Sequence, residues 1–282
     1  MSQVAIVTDS TAYIPKDLIE KYQITTAPQV LIWSDKTYRD GVDIQPEEFY
    51  TRLKTATEMA TTSQVTIASF KDIFSSLLDE GKEILAVLIS EKLSGTIDSA
   101  VQAREMLPGA AIEIVNSKTT AMALGFTALT AARAAEEGAS LAECKAAAEK
   151  ATQHTGVVFA VDTLEFLHRG GRIGGGSRFL GTALQLKPIL EVTGGQVEAI
   201  ERVRTRSKSL QRVVQIIEER IAGRTPVRLA TLHANAPDDA QKLLEMATER
   251  IAVDESVFSE ISPVVANHAG PGTVGLAFLA GI

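Results

Sequence analysis

Three short segments rich in hydroxyl side chains are the strongest candidates for chemistry in this sequence. They are "TDST" at residues 8–11, "TTSQ" at 61–64 and "LSGT" at 93–96. The first and third directly follow an apolar run, where a buried strand would end. Serine and threonine at such a junction can cap a helix, or their hydroxyls can join the free N–H groups of the first helical turn in binding a carboxylate or a phosphate. For each segment taken alone, both roles remain open.

Other kinds of chemistry lack their sequence patterns. The Gly-rich "GGRIGGGS" at 170–177 contains no dinucleotide-binding G-x-G-x-x-G, because Phe179 stands where the last glycine would be needed. The loop is therefore either flexible or a place where backbones approach closely. The histidines are scattered without metal-ligand spacing, and no G-x-S-x-G nucleophile motif is present. We expect no metal and no cofactor.

Length and composition indicate a globular protein and exclude several partners. The chain has 282 residues, of which 45% are hydrophobic and 22% charged, and its formal net charge is −7. An acidic chain without a basic cluster has no field that would attract nucleic acid. The single Cys144 excludes an internal disulfide and, in an alanine-rich helical segment, is interpreted as a packing residue. The N-terminal residues lack a signal-peptide pattern and no apolar run reaches the ~18 residues of a membrane span, so we expect a cytoplasmic protein.

A parallel sheet would position the hydroxyl-rich segments. In the first half of the chain, β-branched runs such as "VAIVTDS", "TTAPQVLIW" and "EILAVLIS" are predicted strands, and they alternate with helical patterns such as "PKDLIEKY" and "TIDSAVQAREML". This alternation predicts an α/β domain whose parallel sheet is covered on both faces. Ligands of such sheets bind beyond the carboxyl ends of the strands. The hydroxyl-rich segments are therefore expected to converge at that edge.

The second half of the chain has a different pattern. "KPILEVTGGQVEAIERVRT" predicts a hairpin around a Gly194-Gly195 turn, followed by a helix over "SKSLQRVVQIIEERIAG". The stretch 256–281 is predicted to form a pair of closing strands. Hairpins mixed with helices are typical of an α+β domain with a mixed or antiparallel sheet. We therefore expect two domains, an N-terminal α/β domain at residues 1–155 and a C-terminal α+β domain at 156–282.

Eight short motifs together resemble those of the DegV family. They are "VTDST", "TTSQ", "LSGT", "VNS…ALG", "LEFLHRGGRIG", "KPIL", "RVRT" and "HAGPGTVG", and they follow one another over essentially the whole chain. None of them is specific alone, whereas eight in register are. The resemblance implies a bacterial two-domain protein that buries a long-chain fatty acid between and within its domains. It also implies a separate fatty acid kinase as partner, which phosphorylates the bound carboxylate to an acyl phosphate for phospholipid synthesis.

The resemblance also implies roles for particular residues. Thr62 of "TTSQ" and Ser94 of "LSGT" match the hydroxyls that hold the fatty-acid carboxylate. No residue is implied to be catalytic, so the chain is expected to bind and present its ligand and not to be an enzyme by itself. Two positions depart from the family pattern: Val65 stands where proline usually follows Thr-Ser-Gln, and Asn116 stands where aspartate is frequent. The residues expected near the head group are Ser63, Gly95, Thr96, Arg172, Arg204 and His268.

The acyl chain would need an apolar tunnel and a way in. "TAMALGFTAL" at 120–129 and "FLGTALQLKPIL" at 179–190 are candidate walls, and plain core packing explains either equally well. A poorly soluble ligand implies transient membrane contact, for which the segment 170–182 is the candidate through Phe179 and Leu180; ordinary core packing of these two side chains is the alternative. Two rival functions stay open. One is an enzyme acting on a small anionic substrate at the hydroxyl-rich site, and the other is an interaction or regulatory module in which lipid is incidental.

Overall fold

Strands and helices alternate along most of the chain in a computed structural model that describes residues 3–56, 58–179 and 186–282. Thirteen strands are described: β1 (Val4–Asp9), β2 (Thr25–Ala27), β3 (Val30–Trp33), β4 (Lys36–Arg39), β5 (Thr61–Ser63), β6 (Glu83–Leu88), β7 (Ile112–Asn116), β8 (Thr155–Ala160), β9 (Lys187–Thr193), β10 (Gln196–Val203), β11 (Val227–His233), β12 (Glu255–Val257) and β13 (Val274–Ala280). The described α-helices are α1 (Lys16–Tyr22), α2 (Pro46–Leu53), α3 (Ile67–Asp79), α4 (Thr96–Glu105), α5 (Ala121–Glu136), α6 (Leu141–Thr152), α7 (Glu165–Arg169), α8 (Arg206–Ile221), α9 (Pro237–Thr248) and α10 (Pro263–Ala269).

The first half of the chain forms a parallel sheet of four strands in the order β2-β1-β6-β7. Thr8 of β1 lies opposite Val87 of β6, so the carboxyl ends of these two central strands are adjacent. The segments that follow them, "TDST" and "LSGT", therefore leave the sheet at the same edge. This sheet confirms the predicted parallel α/β organisation.

The second half forms a six-stranded mixed sheet in the order β10-β9-β8-β13-β11-β12. Its neighbouring strands are antiparallel except β11 and β12. The hairpin β9–β10 turns at Gly194 and Gly195, as predicted, and both glycines have positive φ angles of 57° and 85°. Because L side chains rarely adopt such angles, glycine suits this turn. The predicted C-terminal α+β unit is confirmed in its mixed sheet.

The local structure differs from the predictions in two places. "TTAPQVLIW" is not one strand: β2 joins the parallel sheet, whereas β3, after Pro28, pairs with β4 and β5 in a separate three-stranded antiparallel sheet. The stretch 256–281 holds the two predicted strands, β12 and β13, but the helix α10 between them was not predicted. Ser262 caps α10 by accepting the N–H of Val265, and Pro263 occupies its first position.

The long helix α5 lies between the two sheets. It packs against β1 and β6 of the parallel sheet and against β8, β11 and β13 of the mixed sheet. Its sequence is apolar on nearly every side, as expected of a helix that is covered all round. We propose a domain boundary near residue 155, where the strands of the mixed sheet begin. No helix of the described residues is long and apolar enough to cross a membrane.

Candidate functional site

The segment "TDST" is occupied mainly with its own hydrogen bonds. Asp9 is fully buried and accepts the backbone N–H groups of Ile89 at 2.7 Å and Thr11 at 3.1 Å. Ser10 donates its hydroxyl to Asp40 at 2.6 Å. Burial raises the pKa of Asp9, and the hydrogen bonds that it accepts oppose this effect. This aspartate therefore fixes the end of β1 to the loop after β6, and Thr11 is left to face a cavity.

The segment "LSGT" places two hydrogen-bonded hydroxyls at the start of α4. Ser94 Oγ lies 2.8 Å from Thr96 Oγ1, which also accepts a hydrogen bond from Gln29 Nε2 at 2.8 Å. Thr96 is fully buried, whereas Ser94 is half-buried and lines the cavity. Neither hydroxyl caps α4, since the capping position is Gly95 and no side chain caps it. Thr96 thus supports Ser94 from behind, and Ser94 presents its hydroxyl to the cavity.

Strand β5 and helix α10 bring Thr62 and His268 together. Thr62 is placed by the pairing of β5 with β3, opposite Leu31. Asn267 Nδ2 donates to the carbonyl oxygen of Ala60 at 3.0 Å and so ties α10 to the residue before β5. Thr62 Oγ1 then lies 2.7 Å from His268 Nε2. Two residues that are 206 positions apart in sequence become a hydrogen-bonded pair on the cavity wall.

The imidazole of His268 is held in its neutral form. Burial and the nearby positive charge of Arg172 lower the pKa of His268 from 6.5 to about 4. Its Nδ1 is buried and has no hydrogen-bond partner among the described residues. Gly170 lies against this nitrogen, and any side chain at position 170 would collide with the ring. A glycine at this position is thus a steric requirement of the site.

Arg172 connects the two halves of the molecule at the cavity. Its Nε donates to the carbonyl oxygen of Leu93 at 3.0 Å and one terminal nitrogen donates to that of Gly170 at 2.7 Å. No carboxylate of the described residues forms an ion pair with Arg172. The guanidinium therefore brings an uncompensated positive charge to a half-buried position that borders the cavity.

"TTSQ" and "LSGT" are in direct contact. The side chain of Gln64 crosses Gly95 so closely that a β-carbon there would collide with its amide, and Gln64 Nε2 donates to Ser99 Oγ at 3.0 Å. A side chain at Gly95 would therefore have to displace the Gln64 amide. The sequence analysis did not predict this role for Gln64, and the available signal was its position as the amide residue at the end of "TTSQ".

These groups surround a cavity between the carboxyl edge of the parallel sheet and the inner face of the mixed sheet. The cavity has a volume of about 100 Å³, which is several times the ~10–15 Å³ that one water molecule requires. Apolar side chains contribute much of the wall, from strands of the mixed sheet, the loop after β6, the start of α5, the segment before α10 and α10 itself. They are Ile89, Leu93, Ala121, Val157, Phe159, Val192, Val197, Leu232, Ile261, Val264, Val265 and Ala269.

The structure brings seven of the eight predicted site residues to the cavity, in two groups. Thr62, Ser63, Ser94, Arg172 and His268 line the cavity. Gly95 and Thr96 lie directly behind it, as described above.

Arg204 does not join either group. It is exposed, directly before the capping residue Thr205 of α8, and does not line the cavity. It directly follows β10, the edge strand of the mixed sheet, and is exposed to solvent, and its expected place near the head group stays a prediction.

The expected tunnel walls are found only in part. Thr120 and Ala121, at the start of α5, line the cavity, and the rest of 120–129 is core. In the second candidate wall, Leu180 and residues 181–185 lie outside the described residues, and so does the end of the candidate membrane segment 170–182. Phe179 is half-buried against the core, with the guanidinium of Arg202 4.6 Å from its ring centre.

The two departures from the family pattern leave the cavity lining intact. Val65 is fully buried in the core cluster beneath α3, and the next residue, Thr66, caps that helix. Asn116 accepts the backbone N–H of Lys118 at 2.9 Å. No cluster of His, Cys, Asp or Glu side chains suited to a metal ion occurs in the part of the chain that the structure describes.

Comparison with known proteins assigns the chain to a family. The sequence model described as "Uncharacterised protein, DegV family" matches residues 3–281, and the chain belongs to this family. A DegV domain-containing protein of Streptomyces coelicolor is 38% identical over 275 residues, 97% of each chain.

Solved structures agree in fold. A DegV family protein from Thermus thermophilus, described as binding fatty acid, superposes with a TM-score of 0.93 at 34% identity over 99% of this chain and 100% of its own. DegV of Bacillus subtilis, described as a fatty acid binding protein, does so with a TM-score of 0.88 at 30% identity over 99% and 100%.

Proposed function

We propose that the cavity binds a long-chain fatty acid, with its carboxylate at Thr62 and Ser94. The observation that carries the proposal is the composition of the cavity wall. An apolar lining from the mixed sheet, the loop after β6 and α10 meets a compact polar group of two hydroxyls, an imidazole and an unpaired guanidinium. A carboxylic acid with a long alkyl chain has the same division into an apolar and an anionic part. The fatty-acid binding described for the Thermus and Bacillus relatives supports this reading.

The alkyl chain would supply most of the affinity. Burying about 14 methylene groups at ~0.8 kcal/mol each corresponds to roughly 11 kcal/mol of gross transfer free energy. The polar groups then contribute orientation more than affinity. A small anionic metabolite is disfavoured as the ligand, because it would leave the apolar wall of the cavity uncovered.

The hydrogen bond between Thr62 and His268 gives the hydroxyl a direction. If His268 carries its proton on Nε2, it donates to Thr62 Oγ1, and the threonine hydroxyl is free to donate to a carboxylate oxygen. With the other tautomer, Thr62 would donate to the ring and offer the carboxylate only a lone pair. We assign the Nε2-protonated tautomer to the ligand-bound state. Ser94 supplies a second donor and Arg172 the balancing charge.

Presentation of the ligand to a partner is part of the proposal. We propose that a fatty acid kinase phosphorylates the bound carboxylate, that the protein carries the acyl phosphate and is not itself an enzyme, and that it collects fatty acid by transient contact with a membrane. The family resemblance supports the kinase. The exposed Arg204 is available to a protein partner. We propose Phe179, at the end of the Gly-rich segment beside the mixed sheet, as the described residue that makes this membrane contact.

Binding of hexadecanoate and of hexadecanol tests the head-group site. Wild-type protein should bind the acid more tightly than the alcohol. Thr62→Val and Ser94→Ala should each weaken binding of the acid by about 1–3 kcal/mol, the scale for removing a partner of a charged group, and should affect the alcohol less. Thr61→Val is the matched control, because Thr61 is the exposed neighbour on β5 and does not line the cavity. Unchanged binding of the acid by both site variants would overturn this placement of the carboxylate.

A further inference from the structure

A second, larger cavity opens on the other side of the segments that enclose the first. It has a volume of about 870 Å³ and lies between the end of β1, the loop after β4, helix α2 and the loop after β12. Neighbouring residues face the two cavities: Thr11 and Ile261 line the first, whereas Ser10 and Glu260 line the second. We call this second cavity the acidic groove. Its walls include Tyr13, Asp40, Tyr50, His233 and Glu260, and Val42 and Phe258 lie at its rim.

Three side chains that line the acidic groove have buried polar atoms without partners. Tyr50 is only 5% exposed and His233 only 6%, whereas Thr26 is half-buried. The hydroxyls of Tyr50 and Thr26 and His233 Nδ1 form no hydrogen bond with any described residue. A buried polar group without a partner costs free energy, so three in one cavity indicate a place where a ligand would supply the missing hydrogen bonds.

The charge of the acidic groove is negative and uncompensated. Glu260 is half-buried, forms no ion pair within the described residues, and burial raises its pKa. Burial raises the pKa of Tyr13 and of Tyr50; the charge of Glu260 raises both further, and that of Asp40 adds to the shift of Tyr13. All four side chains line the same cavity. The lysine at the groove, Lys16, is directed outward, with its side chain 88% exposed and 3.6 Å from Glu20.

The other titratable groups do not supply a cation. Asp40 is satisfied, accepting from Ser10 at 2.6 Å and from the N–H of Val264 at 3.3 Å. Burial lowers the pKa of His233, which keeps its ring neutral. Glu47, at the first turn of α2, is exposed and adds a further negative charge.

The rim of the acidic groove is apolar and exposed. Val42 is 55% exposed and Phe258 46%, and they are two of the four large apolar side chains that are exposed among the described residues. The Phe258 ring lies 5.6 Å from the ring of His233, centre to centre. A free amine bound at the acidic wall would leave these two side chains uncovered. A peptide segment with a basic side chain and an apolar neighbour would cover both.

We propose that the acidic groove is a docking site for a partner protein, which inserts an arginine between Glu260, Tyr13 and Tyr50 and packs an adjacent apolar residue on Val42 and Phe258. Arginine suits the site better than lysine, because its planar guanidinium can donate to a carboxylate and to a phenol oxygen at once and can stack on an aromatic ring.

The test compares two short peptides by calorimetry. Acetyl-Leu-Arg-Leu-amide and the same peptide with citrulline, a neutral isostere of arginine, are titrated into the full-length protein. The arginine peptide should bind about tenfold more tightly, which is the scale of a charge-assisted hydrogen bond. Glu260→Gln should abolish this preference, and Glu105→Gln, an exposed site on α4 away from the groove, should preserve it.

Tyr50→Phe provides an independent readout. Loss of the unpartnered hydroxyl should raise the melting temperature of the free protein and at the same time weaken binding of the arginine peptide. Equal affinity of the two peptides, or a preference that survives Glu260→Gln, would overturn the proposal. Butylguanidinium that binds as tightly as the arginine peptide would also overturn it, because the occupant would then be a small cation and not a protein segment.

Discussion

The neutral state of His268 predicts a specific dependence of stability on pH. The pKa of His268 is lowered to about 4 in the folded protein, compared with 6.5 for an unperturbed histidine. Between these values the unfolded chain binds a proton that the folded protein does not bind, so acidification favours unfolding. The stabilisation is fully present above about pH 6.5 and is lost as the pH falls toward 4. From about pH 7 to about pH 5, the loss attributable to His268 amounts to about 2 kcal/mol.

Other buried groups titrate in the same range with the opposite sign. Burial raises the pKa of Asp40 to about 6, so below that value the folded protein binds a proton more readily than the unfolded chain does, and acidification is stabilising. The wild-type curve therefore mixes both effects. The His268→Gln variant keeps Asp40 and removes only the histidine, so the difference between the two proteins isolates the His268 contribution.

Urea unfolding at both pH values measures this difference. The free energy of unfolding of wild-type protein should fall by about 2 kcal/mol more than that of His268→Gln between about pH 7 and about pH 5. Histidine NMR gives the pKa directly, and bound hexadecanoate should raise it, because a nearby anion favours the imidazolium. Parallel loss of stability in the two proteins would refute the assignment of a buried, neutral His268.

Three further predictions concern the same site and its partners. Gly95→Ala should lower stability by about 1–3 kcal/mol in thermal unfolding, because the new methyl group collides with Gln64; an unchanged melting temperature would show that Gln64 moves freely. Arg204→Ala should keep its bound fatty acid and slow acyl phosphate formation by the kinase, measured with a cognate kinase; a wild-type rate would exclude Arg204 from the kinase contact. Phe179→Ser should slow the exchange of fatty acid with lipid vesicles more than it weakens equilibrium affinity, and exchange at the wild-type rate would place the entry elsewhere.

The periodicity of apolar residues and the residue types at turns were sufficient to predict the overall fold. The long β-branched runs gave the central parallel strands, and the Gly194-Gly195 turn gave the hairpin of the mixed sheet. Short elements were missed. The three residues of β5 are too few to show alternation, and α10 begins with two consecutive valines, a residue that is enriched in strands. The Ser262-Pro263 pair was a readable start signal for that helix.

The candidate site was predictable where topology alone decides position. Segments that follow adjacent parallel strands must emerge at one edge, and so Thr11 and Ser94 share a cavity. The pairing of Thr62 with His268 depends on how α10 packs against β5, which no local pattern encodes. The motif of Arg204 predicts a place near the head group, whereas in the fold this residue directly follows the edge strand β10, is exposed and does not line the cavity.

Native mass spectrometry of the purified protein tests the central claim most directly. Gentle ionisation of the intact protein, followed by release and identification of any bound molecule, measures what the cavity holds without assuming a ligand. We expect one long-chain fatty acid per chain, with reduced occupancy in Thr62→Val and unchanged occupancy in Thr61→Val. A small polar metabolite in its place, or a protein that stays empty after incubation with hexadecanoate, would contradict it.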